Sequence, residues 1–194
     1  MNGSSLRIHV LALFVLSSLG LAGRPATAQS GSDDAESIAV APSSIRIYNF
    51  GRINPNYYRG AQPKGRDYPD LAALGVKTLI DLTGDDGQAN EKTMAETAGM
   101  SYVHIPMTTH APPSTDSLAR FLAIVNEPAR QPVYVHCVEG RHRTGVMTAA
   151  YRMTHDGWTA DQAFSEMKRY RFGADFLHRE FKKFVYGYRP QLGE

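Results

Sequence analysis

The sequence predicts an α/β fold, a central, mostly parallel sheet flanked by helices. Three observations carry that reading. Short runs of β-branched and aromatic residues alternate with segments of helical period, and parallel strands need such crossovers. One stretch, Pro132 to Gly145, reads as strand, tight loop and helix in succession. Finally, connections are short and stopped by glycine, at Gly75, Gly99 and Gly157. The chain has 194 residues and is 42 % hydrophobic, enough for one domain with a real core, and it has no internal repeat.

The elements follow in order. Arg7 and His9 precede an apolar run from Val10 to Ala22. That run is shorter than the roughly 20 residues that span a bilayer. Ala26-Thr27-Ala28 then supplies a small-x-small cleavage pattern. Residues 1–28 therefore read as a secretory signal peptide and place the protein outside the cytoplasm, in a periplasmic space. No cysteine follows the run, which excludes a lipid anchor there. Residues 29–44 are rich in Ser, Ala, Gly and Asp and read as a disordered lead-in. The folded domain then occupies 45–194. Ile45 and Ile47 alternate with Arg46 and Tyr48 as a strand, Asn49 to Asn56 is turn-rich, and Tyr57 begins another strand. Tyr68 to Leu74 is a short helix, Val76 to Leu82 a buried strand, Ala89 to Ala98 a helix and Tyr102 to Ile105 a strand. Leu118, Phe121, Leu122 and Val125 form the core stripe of a helix that Pro128 ends. Val133 to Val135 is a buried strand, and Val146, Ala149, Ala150 and Met153 mark the helix behind it. Thr159 caps a helix with Ala163, Phe164, Met167 and Tyr170 inward. The last helix starts near Asp175, with Leu177, Phe181, Phe184 and Tyr188 inward. Trp158 reads as core, and Lys182 and Lys183 as a solvated face.

Pro132 to Gly145 carries the chemistry. Cys137, the only cysteine, stands at the strand end, and Arg143 stands six residues on, where the helix opens. A loop running into a helix N-terminus turns backbone N–H groups inward and makes an anion nest. Arg143 adds two parallel N–H donors suited to phosphate oxygens. The same surroundings favour a thiolate, lowering the usual thiol value of about 8.5 to roughly 3.5–7.5. A thiolate facing a bound phosphate is a nucleophile facing its electrophile, and this chemistry needs no metal and no cofactor. If the leader is removed, one cysteine is left in an oxidising space with no partner in its own chain, which suits a working nucleophile and leaves it open to oxidation. The seven histidines show no close ligand spacing for a metal.

His136-Cys137-Val138-Glu139-Gly140-Arg141-His142-Arg143-Thr144-Gly145 resembles the signature loop of cysteine-based protein tyrosine phosphatases. The run from Val133 to Met153 resembles most the dual-specificity branch, with its bacterial and fungal-type atypical members. Tyr58-Arg59-Gly60-Ala61-Gln62-Pro63 resembles the Tyr-Arg-x-x-Gln-Pro strand of the same group, with Arg59 in a structural role. The resemblance implies that 45–194 is a catalytic domain built on a strand, phosphate loop and helix. It implies that Cys137 attacks phosphorus and that N–H groups of Val138, Glu139, Gly140, Arg141, His142 and Arg143, with the Arg143 side chain, hold the oxygens. Thr144 would hydrogen-bond the sulfur. His136 would sit under the loop and bond its carbonyls. Arg141 and His142 would add positive charge beside Arg143, as in relatives that accept inositol phosphates, while Glu139 cuts against a very anionic substrate.

One departure stands out. The family carries an aspartate in the loop after the Tyr102 strand, within Asp-His-x-Pro-Pro in the lipid-phosphatase version. Here the stretch is Thr109-His110-Ala111-Pro112-Pro113. Threonine donates no useful proton near neutrality. His110 can carry one, Asp116 at the next helix start can reach in, or no dedicated acid exists. Aspartate in a first helical turn is also what the macrodipole favours without any catalytic duty. Acid assistance is worth roughly 10²–10⁴-fold, so its loss would favour phenolic and phosphoanhydride leaving groups. The strand-end loop Thr83-Gly84-Asp85-Asp86-Gly87 is acidic and glycine-rich, at a place where α/β proteins put function and where ordinary solvated turns also lie.

The reading is a phosphatase of the phosphotyrosine or dual-specificity type acting through a phosphocysteine. Phosphotyrosine protein, aryl phosphate and inositol phosphate all fit as substrates. Alternatives are an inositol-phosphate or phosphoanhydride phosphatase, a rhodanese-type sulfurtransferase, or a non-catalytic phospho-ligand binder. With 21 Lys and Arg against 19 Asp and Glu, nothing points to nucleic acid or, once the leader is removed, to membrane. Oligomeric state is not encoded in any feature of the sequence.

Overall fold

The structure, a computed structural model, describes residues 45–190. The proposed leader and lead-in, 1–44, lie outside the described residues, as do 191–194. Among the described residues no helix is long and apolar enough to cross a membrane.

Five strands form one sheet: β1 Gly51–Asn54, β2 Tyr57–Ala61, β3 Thr78–Asp81, β4 Ser101–His104 and β5 Val133–Cys137, in the order β1-β2-β5-β3-β4. β5 is central because Val-Tyr-Val-His-Cys suits burial on both faces, and all five of its residues are buried. It pairs parallel with β2 and β3, and β3 pairs parallel with β4. Only β1 and β2 run antiparallel. The register sets Ala61 beside Cys137, and Asp81 beside both His136 and His104. The loops leaving β2, β3, β4 and β5 thus gather at one sheet edge.

Alternation along β5 divides the core. Val133, Val135 and Cys137 face a cluster built with α3 Thr115–Asn126, α4 His142–His155, α5 Ala160–Arg169 and α6 Arg179–Gly187. Tyr134 faces the other cluster, with α1 Asp67–Ala73 and α2 Glu91–Thr97. Helix starts are explained by their caps. Ser114 accepts from the Ser117 N–H at the head of α3, and Thr159 with Gln162 forms a capping box at the head of α5. Gly75, at φ +85°, turns the chain after α1 as glycine alone does without strain.

Two elements differ from expectation. The first strand is Gly51–Asn54 rather than Ile45–Tyr48. Asn49 sits at φ 57° in a turn that ends any extended run, while Ile47 is still buried as an isolated core residue. At the C-terminal end, Asp175–His178 is a 3-10 turn and α6 begins at Arg179. A 3-10 turn advances three residues per turn, so the α-helical stripe does not carry through it. Leu177, expected inward, is 66 % exposed, whereas Phe181 and Val185 are core. Trp158 and Tyr170 are half-buried, each under a guanidinium: Arg152 lies 4.2 Å from the Trp158 ring centroid and Arg59 4.0 Å from that of Tyr170. Lys182 is tied to Asp175 at 2.8 Å.

Candidate active site

Cys137 ends β5 and is 3 % exposed. The loop after it is held from outside by its carbonyls. The Gln62 N–H donates to Val138 O at 3.2 Å. Asn49 Nδ2 donates to Gly140 O at 2.8 Å, and Arg59 Nη2 donates to the same oxygen. A trans peptide sets the next N–H opposite each carbonyl. Carbonyls tied outward therefore turn the N–H groups of Glu139 and Arg141 toward the concave side. Gly140 adopts φ +62° directly against Gly60, where a Cβ would run into backbone. α4 begins one residue after Arg141 without any side-chain cap, so its first N–H groups stay available, unlike those of α3 and α5. Arg59 is wholly buried. Its Nε and Nη1 have no hydrogen-bond partner, and burial lowers its pKa from the ordinary guanidinium value. Its structural role is thus to pin the loop and to place a positive charge beneath it.

Arg143 is 4 % exposed on the first turn of α4. Its Nη1 and Nη2 donate to the two carboxylate oxygens of Asp86, at 2.8 and 2.7 Å, and Nη1 also reaches Met107 O at 3.3 Å. Arg143 holds the Asp86 carboxyl below the usual carboxylate range. A cavity of about 210 Å³ is lined by Cys137, Arg143, Asp86, Thr109 and the signature loop. A second, of about 390 Å³, shares Asp86, Thr109 and Arg143 and continues over Met107 and His110.

The predicted residues divide as follows. Cys137, Val138, Glu139, Arg141, His142 and Arg143 line the smaller cavity, and His110 lines the larger one, exposed. Asp116 is exposed on the first turn of α3 and lines neither. Thr144 is buried and its hydroxyl has no hydrogen-bond partner. The expected bond to the sulfur is therefore not made in this structure. The expected basic rim is smaller than the sequence suggested. Arg141 is paired with Glu139 at 3.0 Å and donates to Arg171 O. His142 packs on His178 and donates from Nε2 to Phe172 O, and burial, with His178 next, pushes it down to about 4, so it is neutral near pH 7.

His136 is also placed differently. Successive strand residues point to opposite faces, so with Cys137 on the loop side His136 points to the other. There its Nε2 lies 3.1 Å from Glu91 Oε1 and its Nδ1 3.9 Å from Asp81 Oδ1. Asp81, Glu91 and His136 come within ligand distance of one another despite their remote spacing in sequence. Their oxygens already serve protein donors. Gln62 Nε2 and Tyr68 Oη reach Glu91, while Tyr102 Oη and the Thr83 N–H reach Asp81. The two carboxylates are so satisfied, whereas both ring nitrogens of His136 lack a hydrogen-bond partner. The cluster lies against β5 one residue before Cys137.

A buried thiol, a carbonyl-pinned loop and an arginine on the following helix thus line one cavity. The model of the family described as "DSP-PTPase phosphatase fused to NAD+ Kinase" matches residues 50–184. The chain belongs to the cysteine-based dual-specificity phosphatases. Among relatives of this phosphatase, the "Probable tyrosine-protein phosphatase DG1060" of Dictyostelium discoideum is 30 % identical over 126 residues, covering 63 % of this chain and 75 % of that one. The "Dual specificity protein phosphatase TpbA" of Pseudomonas aeruginosa is 33 % identical over 153 residues, covering 77 % and 65 %. A solved structure of P. aeruginosa TpbA in complex with phosphotyrosine matches with a TM-score of 0.62 at 28 % identity, over 77 % of this chain and 87 % of that one. Arg59 and Gln62 could be picked from sequence by their motif. Glu91 and Asp81 could not, because nothing in their local pattern ties them to β5.

Proposed function

We propose that this phosphatase hydrolyses phosphate monoesters, phosphotyrosine and other aryl phosphates first, through a phosphocysteine at Cys137. The observation that carries the reading is Cys137 and Arg143 lining one cavity beneath a loop whose carbonyls are tied outward. The phosphoryl oxygens bond the loop N–H groups and the Arg143 fork, donors that gain strength as charge builds in the transition state. The sulfur attacks phosphorus, the ester oxygen departs, and water then splits the S–P bond. The unpaired Thr144 hydroxyl is available to the departing sulfur. Pairing of Arg141 with Glu139 and neutrality of His142 support a singly phosphorylated aryl substrate over a densely anionic inositol phosphate. A relative of 28 % identity and the same fold is crystallised with phosphotyrosine, which supports the same choice.

The test is phosphate release from p-nitrophenyl phosphate in the presence of a chelator. Wild-type protein is expected to turn over and Cys137→Ser is not. Turnover that survives Cys137→Ser, or that the chelator abolishes, would sink the reading. Thiosulfate-to-cyanide transfer would support a sulfurtransferase instead.

The protein is also proposed to be secreted to the periplasm, with the first 28 residues removed. Support comes from Arg7, the apolar run and Ala26-Thr27-Ala28. The mature N-terminus is then Gln29, and N-terminal sequencing of the expressed protein checks it. Removing Arg7 and Arg24 and no acid leaves 19 basic against 19 acidic residues, a balance that gives no general attraction for nucleic acid.

A further inference from the structure

We propose that Asp86, from the loop after β3, is the proton carrier of the reaction and takes the place of the aspartate absent from the loop after β4. The inference rests on the phosphatase reading above and names a catalytic residue within it. Three groups were candidates by sequence position or chemistry. Asp116 faces solvent on α3, outside both cavities. His110 lines the larger cavity but not the one that holds Cys137. Asp86 lines both, and its carboxylate sits 2.7 and 2.8 Å from the guanidinium that must grip the phosphate.

The pairing with Arg143 bears on how such a carrier works. An aspartate held by an arginine is unprotonated and cannot donate. A phosphate monoester that takes the two Arg143 N–H groups removes that cation from Asp86 and sets a second anion beside it. A like charge at close range favours the protonated carboxyl. The titratable groups lining the two cavities with Asp86 are Arg143, Cys137, Glu139, Arg141, His142, His110 and its neighbour Asp85. Of the two fixed cations, Arg141 is paired with Glu139, whereas Arg143 is bonded to Asp86 itself, and it is the one the substrate engages. Substrate binding is thereby what arms the acid.

The protons balance. The monoester enters as its monoanion and passes its proton to Asp86 as Arg143 changes partner. The Cys137 Sγ–P bond forms and the P–O ester bond breaks, while Asp86 gives its proton to the leaving oxygen. Water then attacks phosphorus and gives a proton to the Asp86 carboxylate as the S–P bond breaks and the thiolate returns. Phosphate leaves with that proton as its monoanion, and Asp86 re-pairs with Arg143. Net, one monoester and one water become one alcohol and one phosphate.

The test compares Asp86→Asn with wild type on two substrates under single turnover. One is p-nitrophenyl phosphate, whose phenolate leaves with little help. The other is phenyl phosphate, whose leaving oxygen has the basicity of tyrosine, about 10. The acid role predicts a loss of roughly 10²–10⁴-fold on phenyl phosphate, a far smaller loss on p-nitrophenyl phosphate, and partial recovery of the first in Asp86→Glu. Asparagine still accepts a bond from Arg143, so inhibition by inorganic phosphate reports separately whether the grip is intact. An equal loss on both substrates would reassign Asp86 to holding Arg143. No loss, or a gain, would make it a mere competitor for the phosphate site. Either overturns the proposal while leaving Cys137-dependent turnover, and the phosphatase reading, in place.

Discussion

At the scale of single residues, the site works by what each neighbour does to a charge. His142 shows the sign of such an effect. Burial, and then His178, push it from 6.5 to about 4. Unfolding restores the ordinary value, so between pH 6.5 and about 4 the unfolded chain binds a proton that the folded one refuses. Stability contributed by neutral His142 is complete above pH 6.5, falls as pH drops through that window, and levels off below about 4. Carboxylates titrate in the same range, so the measurement is a difference. Thermal midpoints of wild type and His142→Gln, which keeps an amide donor for Phe172 O, are expected to converge as pH falls from 7 to 4. Parallel curves would remove burial of the neutral ring as the cause. Asp86 shifts the same way for a different cause: the Arg143 guanidinium favours its charged form and holds it low, so it contributes stability above the ordinary carboxylate range and loses it as acid reaches the pair.

At the scale of elements, what the sequence made legible was local and what it hid was long-range. β5 and α4 could be read because Val133 to Val135 and the Val146 stripe carry their own period, and Cys137 and Arg143 fall at their junction whatever else the chain does. α3 and α5 were legible for the same reason, since Ser114 and Thr159 cap them from within a few residues. β1 was misplaced because Ile45 and Ile47 alternate as well as Gly51 and Ile53 do. The choice is made by Asn49, which turns the chain and reaches across to Gly140 and Tyr170. The orientation of His136 was available from strand alternation alone, once Cys137 was assigned to the loop face. Its partners were not, because Glu91 on α2 and Asp81 on β3 meet it only through the sheet order. Asp86 illustrates the same limit: its loop looked like a solvated turn, and only the position of β3 next to β5 brings it to Arg143.

At the scale of the whole molecule, one guanidinium joins three elements that the sheet alone does not connect. Arg152 on α4 donates from Nε and Nη2 to Glu166 on α5, at 3.1 and 2.8 Å, and from Nη1 to Asp156 at 2.6 Å. Its Nη2 also reaches Ile53 O on β1 at 3.3 Å, and its plane lies over Trp158. Glu166 is 5 % exposed, so it has no solvent to fall back on. Removing only the cation leaves the buried carboxylate with no partner but the exposed Arg169, at 3.9 Å, so the loss lies at or below the roughly 3–5 kcal/mol of a fully unpaired buried charge, whereas a buried pair replaced as a unit by apolar residues is often neutral. Arg152→Met is therefore expected to lower the urea midpoint sharply, and Arg152→Met with Glu166→Leu to recover most of it. Arg152 lines neither active-site cavity, so turnover below the unfolding transition should stay near wild type in both. If the double variant were as unstable as the single one, the Arg152 contacts to Ile53 O, Asp156 and Trp158 would carry the stability and the ion pair would not. The comparison thus separates a charge that is needed because another is buried from a side chain that is needed for the packing of α4 between the sheet and α5.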